Sequence, residues 1–323
     1  MKKMPASLLV AVLCTATSTI ACGQDLPRRV TTLVVPYAAG GVVDQITRLV
    51  ASKVADRTGQ AFVVENRPGG GGQIAAAAVK QGQPDGSTIL VGDIGTHAIN
   101  ASLYGKLSYD PVKDFMPITE LVEMPHLLVV PPDSPFTTMN DLLAVARKTP
   151  KSLTYASVGV GSGAHLLGEI LKSEYKIDIV HAPYRGSSQI VPDLIANRVG
   201  LFFGAVGSMA SLIEEGKLRA LMVTDRKRSS LLPNIPSAIE AGAPAMDLKV
   251  WFGLLTPAGT PGPTIDQLHK DFVNAVGDPE LKPRLTQWGA NVIANSPTEF
   301  AAVMAADTAR LGKVVRAAGA RVD

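Results

Sequence analysis

Apolar positions along the chain switch repeatedly between two spacings, the short β-branched runs of strands and the three-to-four-residue stripes of helices. Thr31-Thr32-Leu33-Val34-Val35 is a run of the first kind; Val42, Ile46, Leu49, Val50 and Val54 form a stripe of the second. Strands are expected again over 61–65, 88–92, 127–130, 153–157, 179–184, 201–203 and 218–224. Helices are expected over 74–80, through Leu166, Leu167, Ile170 and Leu171, and over 190–196. Two helix starts carry explicit caps: Thr138 with Asp141 three residues on, and Ser296-Pro297 with Glu299. This alternation predicts an α/β architecture.

Leu127-Leu128-Val129-Val130 runs into Pro131-Pro132-Asp133-Ser134-Pro135, the expected passage into a second domain. A return is expected near 250–255, before a linker with Pro257, Gly259, Pro261 and Pro263. The expected organisation is two lobes joined by two crossings, 24–125 with 250–323 as lobe 1 and 126–249 as lobe 2.

Between the first strand and its helix lies Pro36-Tyr37-Ala38-Ala39-Gly40-Gly41-Val42-Val43-Asp44. A glycine turn ahead of a helix leaves amides free at the positive end of the helix dipole, which attracts an anion. A second such turn is Ser157-Val158-Gly159-Val160-Gly161-Ser162-Gly163-Ala164-His165, and two of them imply a cleft that grips a small acid from both sides. Tyr184-Arg185-Gly186 adds a fixed positive charge at another strand end, suited to pairing with a carboxylate. Asp44 is expected to cap its own helix, because a carboxylate repels an anionic ligand.

The chain's 323 residues suffice for two domains, and 46% apolar with 18% charged residues marks a folded protein. Aromatics at 5% argue against base-stacking platforms. Lys2 and Lys3, an apolar stretch over 6–16 and small residues at Thr19-Ile20-Ala21-Cys22-Gly23 read as an export signal over 1–23. That stretch is shorter than the roughly 20 residues needed to span a bilayer. Arg28-Arg29 follows it, the wrong place for a twin-arginine signal. Loss of Lys2 and Lys3 lowers the basic count from 31 to 29 against 28 acids, so neither nucleic acid nor an anionic membrane surface is an expected partner. Cys14 lies in the leader and Cys22 at its end, leaving the body without disulfide or thiol chemistry. Ala21 before Cys22 fits lipoprotein processing, whereas Thr19 replaces the usual Leu, so lipid anchoring and simple cleavage both stay open. A periplasmic monomer is expected.

Catalysis is thinly supported. Val160 stands where a Gly-x-Ser-x-Gly elbow needs glycine, and a helix start accounts for Ser162 and His165 as well as a nucleophile–base pair does. The five histidines are scattered without metal-ligand spacing, so no metal is expected. Gly70-Gly71-Gly72-Gln73-Ile74-Ala75 fits Gly-x-Gly-x-x-Ala between a strand and a helix, with Asp93 ending the next strand. That leaves an exported dinucleotide-binding oxidoreductase as an alternative, although consecutive glycines match loosely and an exported chain meets little nicotinamide.

Several segments together resemble the Bug (TctC-like) family, extracytoplasmic solute receptors of tripartite tricarboxylate transporters. They are Val35-Pro36-Tyr37 with Gly40-Gly41 and Asp44, Glu65-Asn66-Arg67-Pro68-Gly69-Gly70, the Ser157 to His165 turn, Pro183-Tyr184-Arg185-Gly186, Trp251-Phe252-Gly253 and Pro257-Ala258-Gly259-Thr260-Pro261. The resemblance implies a type II periplasmic-binding-protein fold with the ligand cleft between the lobes, no cofactor and no turnover. It implies one jaw from Tyr37, Ala38, Ala39, Gly40 and Gly41, and a second from Ser157, Gly161, Ser162 and His165. Thr96, His97 and Arg185 would line the cleft, and the glycines at 69–72 would form its edge. Arg185 stands where the family often has Lys, and Val42 and Val43 where it often has Pro or Thr, so the first jaw is expected to be more apolar than usual. The implied partners are a small carboxylate and the membrane components of the transporter, with a membrane sensor as the other destination.

Overall fold

A computed structural model describes residues 30–317. The expected leader, with Cys22, lies outside the described residues. From the N-terminal side the elements are β1 (Thr31–Val35), α1 (Val42–Thr58), β2 (Phe62–Asn66), α2 (Gln73–Lys80), β3 (Thr88–Asp93), α3 (Asn100–Leu103) and β4 (Phe115–Met124). Then come β5 (His126–Val130), α4 (Met139–Lys148), β6 (Thr154–Ser157), α5 (Gly163–Tyr175), β7 (Val180–Pro183), α6 (Ser187–Ile195), β8 (Leu201–Ala205), α7 (Val206–Glu214) and β9 (Arg219–Val223). β10 (Val250–Pro257), α8 (Gly262–Val276), α9 (Lys282–Gln287), β11 (Asn291–Val292) and α10 (Pro297–Ala317) follow.

These strands make two sheets. One has the order β11-β4-β10-β3-β1-β2, the other β7-β6-β8-β5-β9. β1 runs parallel to β2 and β3, and β6 parallel to β7 and β8, so each of these pairs needs a crossover helix and is covered on both faces. Strand composition matches that burial: Leu33, Val35, Ile89 and Leu90 in one sheet, and Leu128, Tyr155, Leu201 and Phe203 in the other, are fully buried. Each such side chain contributes about 1.5–3 kcal/mol relative to exposure. Both expected caps form. Thr138 and Asp141 bond reciprocally, and Ser296 and Glu299 do the same at the start of α10.

The chain leaves the first sheet through Pro125 alone, between Met124 and His126. Proline has no N–H to continue the ladder, so one residue suffices to end β4. The expected passage at 131–135 instead joins β5 to α4. Its prolines shape a turn in which the Phe136 amide donates to Ser134 Oγ at 3.3 Å. On the return, β10 inserts between β3 and β4, with Val250 opposite Met124. The two crossings are tied together. The Thr224 amide donates to the His126 carbonyl at 2.8 Å, the His126 amide to Thr224 Oγ1 at 2.9 Å, and that hydroxyl to the Leu248 carbonyl at 2.8 Å. Lys249 pairs with Glu123 beside them. The C-terminal helices α8 and α10 pack back on β4, and Trp251 Nε1 donates to Asp307 of α10 at 2.8 Å.

Glu120 on β4 is a buried acid near this crossing. Its amide donates to Asn295 Oδ1 at 2.9 Å, and Asn295 Nδ2 donates to its carboxylate at 3.1 Å. Burial, reinforced by the charge of Glu123, pushes its pKa up to about 7. The folded chain therefore holds this proton over a range where the unfolded chain, with an ordinary value of about 4.3, has lost it. Stability from this group falls as pH rises through that range. Glu120→Gln is expected to gain about 1–3 kcal/mol on the wild type between about pH 5 and about pH 8. Urea unfolding at both pH values measures it, and a difference that stays constant with pH contradicts the assignment.

Candidate functional site

The first turn is fastened from below. Gly40 takes φ +82, which favours glycine, and its amide donates to Asp44 Oδ2 at 2.9 Å. Asp44 also accepts from Arg48 Nε at 3.0 Å and Asn66 Nδ2 at 3.0 Å. Burial opposes ionisation of Asp44, but Arg48, the Gly40 amide and Asn66 outweigh it and hold the carboxyl below its usual range. Asn66 Nδ2 also donates to the Tyr37 carbonyl at 3.1 Å, while its Oδ1 accepts from Arg48 Nη2 at 3.0 Å. Asp44 thus stabilises its own helix start and takes the amide of Gly40, one of the residues expected in the first jaw. Gly41, the residue before α1, has no side chain to cap it, so the first-turn amides of α1 point outward without a side-chain cap.

Tyr37 is anchored too. Its hydroxyl donates to Asp93, which accepts further from the Thr96 amide at 2.8 Å and hydroxyl at 3.0 Å. Asp93 is 1% exposed, and burial pushes its pKa up against these hydrogen bonds. Thr96 and His97, expected along the cleft, lie beneath its floor in a π-helical turn over Gly95–Ile99. That turn is covered by α10, whose Thr308 hydroxyl donates to the His97 carbonyl at 3.1 Å. The His97 ring stands edge-on to Phe115 at 5.0 Å, and burial lowers its pKa to about 3. Both residues support the floor, and neither reaches the cavity. Asp93, being enclosed, offers nothing to a ribose hydroxyl, which removes the acid that the dinucleotide reading requires.

The second turn holds itself together. Ser157 is fully buried, donates to the Gly159 carbonyl at 3.1 Å and shares a hydrogen bond with His181 Nε2 at 2.7 Å. Ser162 donates to the same carbonyl at 2.7 Å and, as N-cap of α5, accepts from the His165 amide at 3.3 Å. His165 Nδ1 accepts from the Gly161 amide at 3.3 Å. The His165 and His181 rings lie 4.5 Å apart, with Tyr155 stacked on His181 at 4.7 Å. Burial holds both imidazoles in the neutral form, His181 down to about 3. Ser157, Gly161 and His165 therefore build the turn from inside and do not face the cavity. Ser162 and His165 meet as cap and helix start, without a nucleophile–base contact.

The interlobe cavity of about 200 Å³ is lined by Tyr37, Ala38, Ala39, Gly40, Gly41, Val42 and Val43 from the first lobe. Opposite stand Gly163 and Ala164 at the start of α5, Gly186, Ser187 and Ser188 at the start of α6, and Ala205 and Ser208 at the start of α7. Parallel β6, β7 and β8 end on one edge of their sheet, which brings these three helix starts to one place. Its walls are apolar, including Val158, Phe202, Phe203 and Phe252. Among the described residues no Lys, Arg, Asp or Glu lines it. His126 does, with Nδ1 unpartnered and its pKa lowered to about 4, chiefly by burial.

Arg185 lines the cleft as expected, in an outer recess of about 800 Å³ between the same two lobes that shares Tyr37 and Val158 with the inner cavity and is edged by the glycines at 69–72, Tyr104, Ser162 and Tyr184. Its side chain is exposed there. Ser187, Ser188, Ser208 and His126 were missed from the sequence. The first three were findable, because strand–glycine–helix recurs at 183–188 and 203–208. Among the described residues no group of three or more His, Cys, Asp or Glu could hold a metal ion, and no helix is long and apolar enough to cross a membrane.

Residues 46–320 match the family described as tripartite tricarboxylate transporter family receptor. A Pseudomonas relative, the UPF0065 protein in the tcbD-tcbE intergenic region, is 35% identical over 95% of this chain and 91% of its own length. The structure of R. palustris Rpa4515 with adipate superposes with a TM-score of 0.87 at 35% identity, covering 92% of this chain and 100% of that one. MatC from Rhodopseudomonas palustris with bound malate gives 0.85 at 32% identity, covering 90% and 99%. The fold is accordingly the two-lobed type II periplasmic-binding-protein fold, with the ligand cleft between the lobes.

The Asn66 contacts generate a test. Asn66→Ala removes the donor to the Tyr37 carbonyl and one of the donors to Asp44, which keeps Arg48 and the Gly40 amide, a loss of about 1–3 kcal/mol. Faster amide exchange across 37–43 should accompany that loss in urea unfolding. Unchanged stability and exchange would show that the turn does not depend on Asn66.

Proposed function

Because the chain belongs to the tripartite tricarboxylate transporter receptor family, we propose that it is a periplasmic receptor. It captures a small carboxylate between its lobes, 24–125 with 250–323 and 126–249, and delivers it to the membrane components of such a transporter. The observation that carries this reading is the convergence of the starts of α1, α5, α6 and α7 on one cavity without charged side chains. An unpaired carboxylate in such a space costs several kcal/mol, and each charge-assisted hydrogen bond returns about 1.5–3 kcal/mol. Helix starts supply those donors and a fixed positive potential.

In this mechanism the amides at Gly41, Val42 and Val43 receive one carboxylate in the open form. Closure brings up the starts of α5, α6 and α7, where Ser187, Ser188 and Ser208 add hydroxyls. Ligand stabilises the closed form only through contacts made in that form. No step breaks a bond in the ligand, and His126, neutral above about pH 4, accepts or donates one hydrogen bond without adding charge. The adipate and malate bound by the two R. palustris proteins support a carboxylate as ligand class. The apolar walls suit a hydrocarbon segment between polar ends. Arg185, outside the cavity, attracts anions toward the mouth of the cleft.

Mass spectrometry of the purified native chain should recover an intact organic acid, and calorimetry with adipate, malate and a wider acid panel should give saturable binding. Arg185→Ala is expected to slow association by about threefold to tenfold at low salt while leaving dissociation unchanged. Binding of NAD(H) in place of any acid, or conversion of the bound acid, would overturn the receptor reading. A large rise in the dissociation rate of Arg185→Ala would move the ligand seat to the outer recess.

A further inference from the structure

We propose that Gly71, Gly95 and Gly161 form a latch where the backbones of the two lobes meet, and that their lack of side chains is what lets the cleft close. This deepens the receptor reading and rests on it, because it names the residues that position the second-lobe turn over the ligand.

The contacts are closer than any side chain permits. A methyl on Gly95 would lie 2.2 Å from the Gly161 carbonyl oxygen across the cleft. On Gly71 it would lie 2.4 Å from the Val160 carbonyl oxygen and 2.6 Å from the Tyr104 hydroxyl, and on Gly161 2.4 Å from Asn100 Oδ1. Gly71 and Gly161 also take φ +62 and +85, so their own turns favour glycine. Gly95 is different. It opens the π-helical turn with no positive φ, and the nearest atom of its own lobe, Asp93 Oδ1, is 3.2 Å from the position a methyl would take. The opposite lobe is therefore what excludes a side chain there.

Polar contacts across the seam are few. Tyr104 donates to the Val160 carbonyl at 3.4 Å, a long hydrogen bond, and Asn100 Oδ1 is buried without a partner. Asn100 is otherwise committed to its own lobe, donating to the Gly71 carbonyl at 2.9 Å and Tyr109 at 3.1 Å. A seam that fits closely but gains little hydrogen bonding closes readily and opens readily. The bound ligand then decides which state prevails.

Gly95→Ala tests this without touching the cavity, and alanine suits a helical start. Adipate is the probe, with malate as a second. In the wild type, adipate should compact the chain in small-angle scattering. In Gly95→Ala it should bind at least about tenfold more weakly, through faster dissociation with association within about threefold, and fail to compact the chain. Circular dichroism and the melting temperature should match the wild type. Tyr104→Phe, which only removes the long hydrogen bond, should speed dissociation by about twofold to fivefold and covers the case that Gly95→Ala misfolds. Wild-type affinity and compaction in whichever variants fold overturn the latch. If the wild type binds no acid, the receptor reading fails separately, and hydrogen exchange of the ligand-free chain decides the latch. Amides over 159–163 protected in the wild type and exposed in Gly95→Ala support it; equal exchange overturns it.

Discussion

Residues at the starts of α1, α5, α6 and α7 line one cavity, and helix-start amides can hold an anion only while their turns are rigid. Much of the surrounding structure meets that requirement. Asp44, Arg48 and Asn66 fix the turn ahead of α1, and Tyr37 is fastened to Asp93 beneath it. Ser157, Ser162, His165 and His181 fix the turn ahead of α5. None of these side chains replaces a backbone donor at the cavity. They keep the donors in place.

The same division of labour explains the neutral histidines. A cationic imidazole beside the cavity would bind anions of any shape. Burial holds His97 and His181 to about 3 and His126 to about 4, so these imidazoles add no charge to the inner cavity through physiological pH, and the fixed charge of the cleft, Arg185, sits in the outer recess. In the proposed mechanism, binding then depends on where the helix starts stand. The two crossings at Pro125 and Leu248, tied by Thr224, form the narrow connection between the lobes.

Much of this was legible in the sequence because it is local. Strand runs, helical stripes, the Thr138 and Ser296 caps and the glycine turn ahead of α1 each depend on neighbours within a few residues. What is not legible there depends on distant partners. Thr96 and His97 sit next to a strand end like other cleft residues, yet α10, more than two hundred residues away in sequence, covers them. Arg185 lines the outer recess of the cleft, whereas the neighbouring Gly186-Ser187-Ser188, which carry no charge, line the inner cavity; only the fold distinguishes the two. The single Pro125 ends β4, and the three prolines over 131–135 turn β5 toward α4.

In the proposed receptor the anion rests on backbone amides from both lobes and on no basic side chain. A crystal structure of the chain with its co-purified acid tests it most directly. Carboxylate oxygens should lie about 2.7–3.2 Å from amides at the start of α1 and from amides or serine hydroxyls at the starts of α5, α6 or α7. An acid seated in the outer recess against the Arg185 guanidinium, with the inner cavity filled by water alone, would contradict it.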